Sequence, residues 1–208
     1  MNKDKKSFMR MLLIPAAIVA SSLAVMGDET TTEPKTGTPN QENTVTVEGT
    51  ATLYGDWACK AHASLRVLPG EALPPVPGFP GGIQKAVVDV SVKALDCGDS
   101  TMNKHLRKAL KEKDHPNILF QMNRYELSGN GGKATAFGEL TIAGETKPVE
   151  MEVDLEALAN QGVRATGEVP IKMKEYGVKP PSLLFGTLKV ANDITVKFDS
   201  LVQPPNKP

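Results

Sequence analysis

Aromatic side chains are scarce in this chain of 208 residues: one Trp, three Tyr and six Phe, 5% in all. Set beside 18 Gly and 16 Pro, that scarcity favours a turn-rich β protein over a helical bundle. Histidine is also rare. His62, His105 and His115 are scattered, with no H-x-x-x-H or H-E-x-x-H spacing that would hold a metal on one helix face. There is no G-x-S-x-G elbow for a serine nucleophile. The glycine-rich run SGNGG (Ser128–Gly132) lies between two strand patterns and does not open a helix, so it is no phosphate cradle. An excess of one charge sign is missing too, with 24 basic and 24 acidic residues. Without a basic stripe, a nucleic-acid partner is not expected. A Ser-His-Asp triad brought together by the fold stays open on sequence alone, but ordinary surface chemistry is the favoured reading and no catalytic residue, metal site or cofactor is expected.

Cysteine is limited to Cys59 and Cys97, and a C-x-x-C redox motif is absent. What these two do depends on the compartment. Residues 1–27 begin with Lys3, Lys5, Lys6 and Arg10, continue through an apolar run from Met11 to about Met26, and close on small residues. That is the pattern of a secretory signal peptide, cleaved after Gly27 in the preferred reading. An uncleaved anchor is the alternative, although the run is short for a span of about 20 residues and contains Pro15. No cysteine stands near the cleavage point, which argues against a lipoprotein anchor. Export to the periplasm or outside the cell is expected, and two cysteines in an oxidising compartment usually pair. A disulfide Cys59–Cys97 is the favoured reading; a metal site shared with histidine is the alternative. Beyond residue 27 the chain holds 20 basic and 23 acidic residues, a net charge near −3.

Residues 28–43 (DETTTEPKTGTPNQEN) have nothing to bury and are expected to be a disordered linker. One β domain is expected over residues 44–203, and residues 204–208 form a tail. The most informative stretch is Asn117–Leu155. Ile118, Phe120 and Met122 alternate with polar neighbours; Leu140 and Ile142 do the same; Val149, Met151, Val153 and Leu155 alternate with Glu150, Glu152, Asp154 and Glu156. This is a β-meander with one dry and one wet face. A slip of one residue would bury four carboxylates, so the register is strongly specified. The first strands lie in 44–68, where Trp57 is read as a core or barrel-base plug rather than a ligand contact. Ile83–Asp96 is a long strand with Ala86, Val88, Val90, Val92 and Ala94 on one face. Residues 99–114 form the one convincing helix, capped by Ser100 or Thr101, with Met102, Leu106, Ala109 and Leu110 as its apolar stripe. Its basic face could touch anionic lipid, but a solvated face is the simpler reading. Val169, Ile171 and Met173 form one face of a later strand, and Ile194, Val196 and Phe198 one face of the last.

Residues 69–82 (PGEALPPVPGFPGG) can be neither a helix nor a central strand. They are a long hairpin loop or, more sharply, a lid at the mouth of a barrel with Phe79 as its apolar tip. The strands themselves allow a solid β core or a hollow barrel, because about eight strands can just enclose a small ligand. Periodicity alone does not separate the two.

The run GELTIAGETKPVEMEVDL, preceded by HPNILFQM, resembles the signature region of the YceI-like polyisoprenoid-binding family. Collinear similarity extends over about residues 44–202, through VEGTATLYGDW, MNKHLRKAL and KMKEYGVKPPSLLFGTLKVANDITVKF. The resemblance implies an all-β fold, an eight-stranded antiparallel barrel of extended lipocalin type with one capping helix. It also implies an apolar tunnel for a polyisoprenoid or another long-chain amphiphile, held passively; transient membrane contact is a separate expectation. The lipid-facing residues expected are Val88 and Val90; Ile118, Phe120 and Met122; Leu140 and Ile142; Met151 and Val153; Ile171 and Met173; Val196 and Phe198. Thr146–Val149 is expected to be an architectural turn. A non-catalytic interaction barrel with a filled core is the runner-up. An enzyme would need polar groups such as Arg124 or Asn192 inside the barrel.

Overall fold

The structure, a computed structural model, describes residues 43–159, 162–183 and 187–204. The expected leader, nearly all of the linker and the last four tail residues lie outside the described residues. The strands are β1 (Thr44–Ala51), β2 (Gly55–His62), β3 (Ser64–Pro69), β4 (Ile83–Ser91), β5 (Asn117–Ser128), β6 (Lys133–Ile142), β7 (Glu145–Ala157), β8 (Val163–Lys172), the short β9 (Ser182–Leu183) and β10 (Leu188–Val202). A single α-helix, α1 (Ser100–Ala109), is found among the described residues.

The main sheet runs β2-β1-β10-β8-β7-β6-β5-β4-β3, antiparallel throughout, with β9 beside β10. Its two edge strands are consecutive in the chain, with only Ala63 between them. Up to His62 this segment pairs with β1, and from Ser64 it pairs with β4. One bent strand thus changes partner and curls the sheet round on itself. The bend explains why nine strands stand in the path where eight were expected. Ala63 is fully buried there, and its N–H donates to the Asn43 carbonyl at 2.9 Å. The Asn43 side chain accepts from the Leu201 N–H at 2.8 Å, pinning the start of β1 to the end of β10.

The expected register of β7 holds. Glu150, Glu152, Asp154 and Glu156 are exposed, while Met151, Val153 and Leu155 face the interior. Tight turns separate β5 from β6 and β6 from β7. The second turn is Ala143–Gly144, both at positive φ, as a two-residue hairpin demands. Thr146–Val149, expected as the turn, instead lies inside β7, with Pro148 opposite Glu139. The register of β5 and β6 shifts between Met122 and Arg124. Such a bulge inverts the alternation, so Ile118, Phe120 and Met122 are followed on the inner face by Tyr125 and Leu127.

The strand expected to reach Asp96 stops at Ser91, because the Val92 N–H turns to the Pro116 carbonyl and residues 92–94 form a 3-10 turn. Helix α1 is capped by Asp99, whose carboxylate accepts from the Met102 N–H at 2.7 Å, rather than by Ser100 or Thr101. It ends before Asp114 because Lys111 adopts φ 55°. Leu110 is buried, and Leu106 and Ala109 pack beneath it on the barrel.

Candidate functional site

The curled sheet encloses a cavity of about 190 Å³. β1, β3, β4, β5, β6, β7, β8 and β10 all contribute to its wall. Of the side chains expected to face a ligand, Val88, Val90, Ile118, Phe120, Met122, Leu140, Met151, Val153, Ile171, Val196 and Phe198 line it. Ile142 and Met173 do not. They are buried in the apolar cluster beneath the cavity, since Ile142 closes β6 just before the hairpin turn and Met173 lies in a 3-10 turn rather than a strand.

Sequence reading missed several wall residues. Leu65 and Val67 come from β3, Ala134 and Ala136 from β6, and Ala165 from β8. Extending the alternation into β3 and through the alanines would have found them. Tyr125 was hidden by the bulge. Val76 was hidden because it belongs to no strand.

The wall is almost wholly hydrocarbon. Among the described residues, its hydroxyl-bearing side chains are Tyr125 and Ser200, and no charged side chain lines it. The Tyr125 phenol is engaged at the rim, where it donates to the Pro74 carbonyl and accepts from the Ile83 N–H at 3.2 Å. Arg124 points outward, its guanidinium 3.5 Å from the Phe137 ring centroid and paired with Glu126. Asn192 accepts from the Lys174 N–H at 2.9 Å and is not on the wall. Polar convergence of the kind an enzyme reading needs is thus not built from those two residues. No group of three or more His, Cys, Asp or Glu able to hold a metal occurs among the described residues.

Glycines keep rings flat against the inner face. A Cβ on Gly138 would sit 2.7 Å from the Phe120 ring, and one on Gly167 would sit 2.6 Å from Phe198. A Cβ on Gly49 would likewise sit 2.5 Å from the Trp57 ring, but Trp57 is only half-buried, joins none of the apolar clusters and does not line the cavity, so it is not seen as the expected plug of the core or barrel base.

The two ends of the cavity are closed differently. At one end, Val92, Leu95, Leu110, Ala143, Tyr176 and Val178 are buried in one cluster with Ile142 and Met173. Cys59 and Cys97 form a disulfide there. Two backbone bonds of 2.8 Å between Lys60 and Asp96 seat the segment before α1 on the free edge of β2. The Asp96 carboxylate accepts from Asn103 and from the Gly98 N–H, which holds it below the usual carboxylate range.

The other end is covered by the proline-rich loop. Its Val76 and Phe79 are buried against Val163 and Val202, with Leu65, Val67, Ile83, Tyr125, Leu127 and Leu155 around them. The lid reading of 69–82 therefore describes the position of the loop, and Phe79 is its buried wedge. Leu68 and Leu73 stand exposed on its flank, at 53% and 39% of their surface.

The lining of this cavity is apolar on every strand that contributes to it. A family model described as a YceI-like domain matches residues 35–201. Curated UPF0312 proteins of Pseudomonas paraeruginosa and Serratia proteamaculans are 31% and 30% identical over 102 and 99 residues, or 46% and 45% of this chain. Each match covers 52% of the relative, so the chain spans about half the length of these curated relatives. Among solved structures, BcnA of Burkholderia cenocepacia superposes with a TM-score of 0.63 at 21% identity, covering 78% of this chain and 96% of that one. A polyisoprenoid binding domain from Saccharophagus degradans gives 0.60 at 9% identity, covering 78% and 94%. A Campylobacter jejuni YCEI protein gives 0.56 at 14%, covering 91% and 100%. At such identities the likeness is one of fold.

Proposed function

The chain belongs to the YceI-like family, and on that premise we propose that it is an exported carrier that holds a polyisoprenoid or other long-chain amphiphile in its barrel without chemical change. The observation that carries this reading is the cavity wall, formed by side chains of eight strands and hydrocarbon except at Tyr125 and Ser200. Burying apolar chain against such a wall is favourable by about 0.8 kcal/mol per methylene, before the entropy of ordering the chain is subtracted. The flexible thioethers of Met122 and Met151 suit a wall that adapts to its occupant. The disulfide supports an oxidising compartment, periplasmic or extracellular. The expected catalytic step is none, and so is the expected cofactor.

The test is direct. The protein is purified from its native host without detergent, extracted with organic solvent and examined by mass spectrometry. A stoichiometric hydrophobic molecule is expected. Its absence, together with failure of the purified protein to take up any long-chain probe, would leave the filled interaction barrel as the better reading.

A further inference from the structure

The cavity is small for the ligand class proposed above. An apolar cavity of about 150 Å³ accommodates benzene, and this one measures about 190 Å³. A chain of several isoprene units needs more room. The helix end offers none, because buried side chains pack it. The loop end is filled by Val76, which lies on the cavity wall, and by Phe79, only 2% exposed behind it.

The hydrogen bonds of this loop are turned in on itself. Gly70 N–H donates to Gly82 O at 2.8 Å, and Leu73 N–H to Gly81 O at 3.2 Å. Val76 and Phe79 exchange two more, at 3.1 and 2.7 Å, and the Gly82 N–H turns back to the Phe79 carbonyl at 2.9 Å. Among the described residues, the polar tie between this loop and the wall is the Tyr125 phenol, clamped between Pro74 and Ile83. Its fit is close, since a Cβ on Gly82 would sit 2.5 Å from the phenol oxygen. Ala72 is held at φ 61°, a conformation that strains a residue with a Cβ. A loop whose backbone is satisfied internally can lift as one body. Lifting it breaks the tyrosine tie and exposes two apolar side chains, and an apolar chain entering the vacated space replaces their contacts.

We propose that residues 70–82 are a ligand-displaced lid, in which Val76 and Phe79 fill the outer tunnel until a long apolar chain takes their place and Tyr125 is the latch. The lid rests on the reading of the cavity as a hydrophobic-ligand site. It makes Phe79 a determinant of ligand length: compact ligands bind beneath it, and long ones must push it out.

The sign of one substitution separates a plug from a wall. Binding is measured for cis-parinaric acid, a fluorescent long-chain fatty acid, and for toluene, which fits beneath the lid. In Phe79→Ala the plug is gone, so parinaric acid affinity rises by about tenfold or more while toluene affinity changes less than about twofold. Tyr125→Phe keeps the ring and removes the latch, so parinaric acid associates about three- to tenfold faster. In the wild type, parinaric acid exposes the buried Phe79 ring to a soluble paramagnetic relaxation agent and toluene does not. A loss of parinaric acid affinity in Phe79→Ala, or equal gains for both ligands, overturns the lid while the site reading stands. Binding of neither ligand by any of the three proteins overturns the site reading, and the lid with it. Unchanged emission from Trp57, which lies outside this loop, certifies that each variant is folded.

Discussion

The two ends of the barrel differ in where their backbone hydrogen bonds go. At the helix end they cross from the closing segment to the barrel: Lys60 with Asp96, Val92 with Pro116, and Lys174 with the Asn192 side chain. Arg107 and Lys111 add side-chain bonds to the Lys93 and Ala143 carbonyls, and the Cys59–Cys97 disulfide adds a covalent tie. At the loop end the bonds close within residues 70–82, and contact with the barrel among the described residues is apolar apart from Tyr125. Both ends bury hydrophobic side chains, so burial alone would not tell them apart. Where the polar groups are satisfied separates a floor from a door, because opening a floor orphans buried donors and opening a door does not.

The strongest challenge to this contrast is removal of the disulfide. Cys59→Ser with Cys97→Ser frees a loop of sequence separation 38, worth about 4 kcal/mol in the chain-entropy model. The urea midpoint should fall accordingly. Amide exchange should quicken first at Lys60 and Asp96, with Val76 and Phe79 little changed relative to global unfolding. Faster exchange confined to the loop would mean that the floor had been assigned to the wrong end.

Truncating one apolar side chain at each end sharpens the comparison. Leu95 is 1% exposed and Val76 is 6% exposed. Leu95→Ala leaves a cavity that tied-down neighbours cannot fill, so a loss of about 3 kcal/mol is expected. Val76→Ala removes less and lies under a loop that can settle, so about 1 kcal/mol is expected. Chemical denaturation measures both, and equal losses would erase the distinction. A smaller effect is expected at the helix cap, where Asp99→Ala forfeits the bond to the Met102 N–H. About 1 kcal/mol is typical of such caps, read as a lower urea midpoint with an unchanged slope.

Much of this architecture was legible in advance, and the reason is the period of two. Wherever a strand keeps its phase, as in β7 with its four outward carboxylates, the sequence names the wall residues. It fails where phase is broken. The bulge after Met122 turned Arg124 outward and Tyr125 inward, and no local residue type announces such a shift. It fails again at element ends, where Ile142 and Met173 still alternate but already lie in the floor. The bend at Ala63 was invisible because a change of pairing partner is a tertiary event. The lid was only half legible. Its prolines excluded helix and strand, but that Val76 and Phe79 fold back into the barrel depends on the space the strands leave open.

Electrostatics give the finest test, because outer-face carboxylates are expected to respond to acid in opposite directions. Asp199 of β10 accepts from both Arg164 Nε at 2.9 Å and Arg164 Nη2 at 2.5 Å. That bond, and the charge behind it, hold its carboxyl below the usual range. A lowered folded pKa means stability that is present above the unfolded value of about 3.8 and lost as pH falls through the folded one. The pair is exposed and solvent-screened, so Asp199→Asn should cost only about 0.5 kcal/mol at neutral pH. The deficit should vanish in acid. Asp89 of β4 is the opposite case: desolvation raises its carboxyl, and Arg66 only partly offsets this. Here the ionised form is the disfavoured one in the fold, so the penalty is full above the raised pKa and gone below the unfolded value. Asp89→Asn should therefore be slightly more stable than the wild type at neutral pH and indistinguishable from it in strong acid. The bond of 3.4 Å from the Asn117 amide to Asp89 is long and little is lost with it. Denaturation midpoints measured across acid pH should give two difference curves of opposite sign that converge on zero. Curves of the same sign would mean that Arg66, rather than burial, governs Asp89.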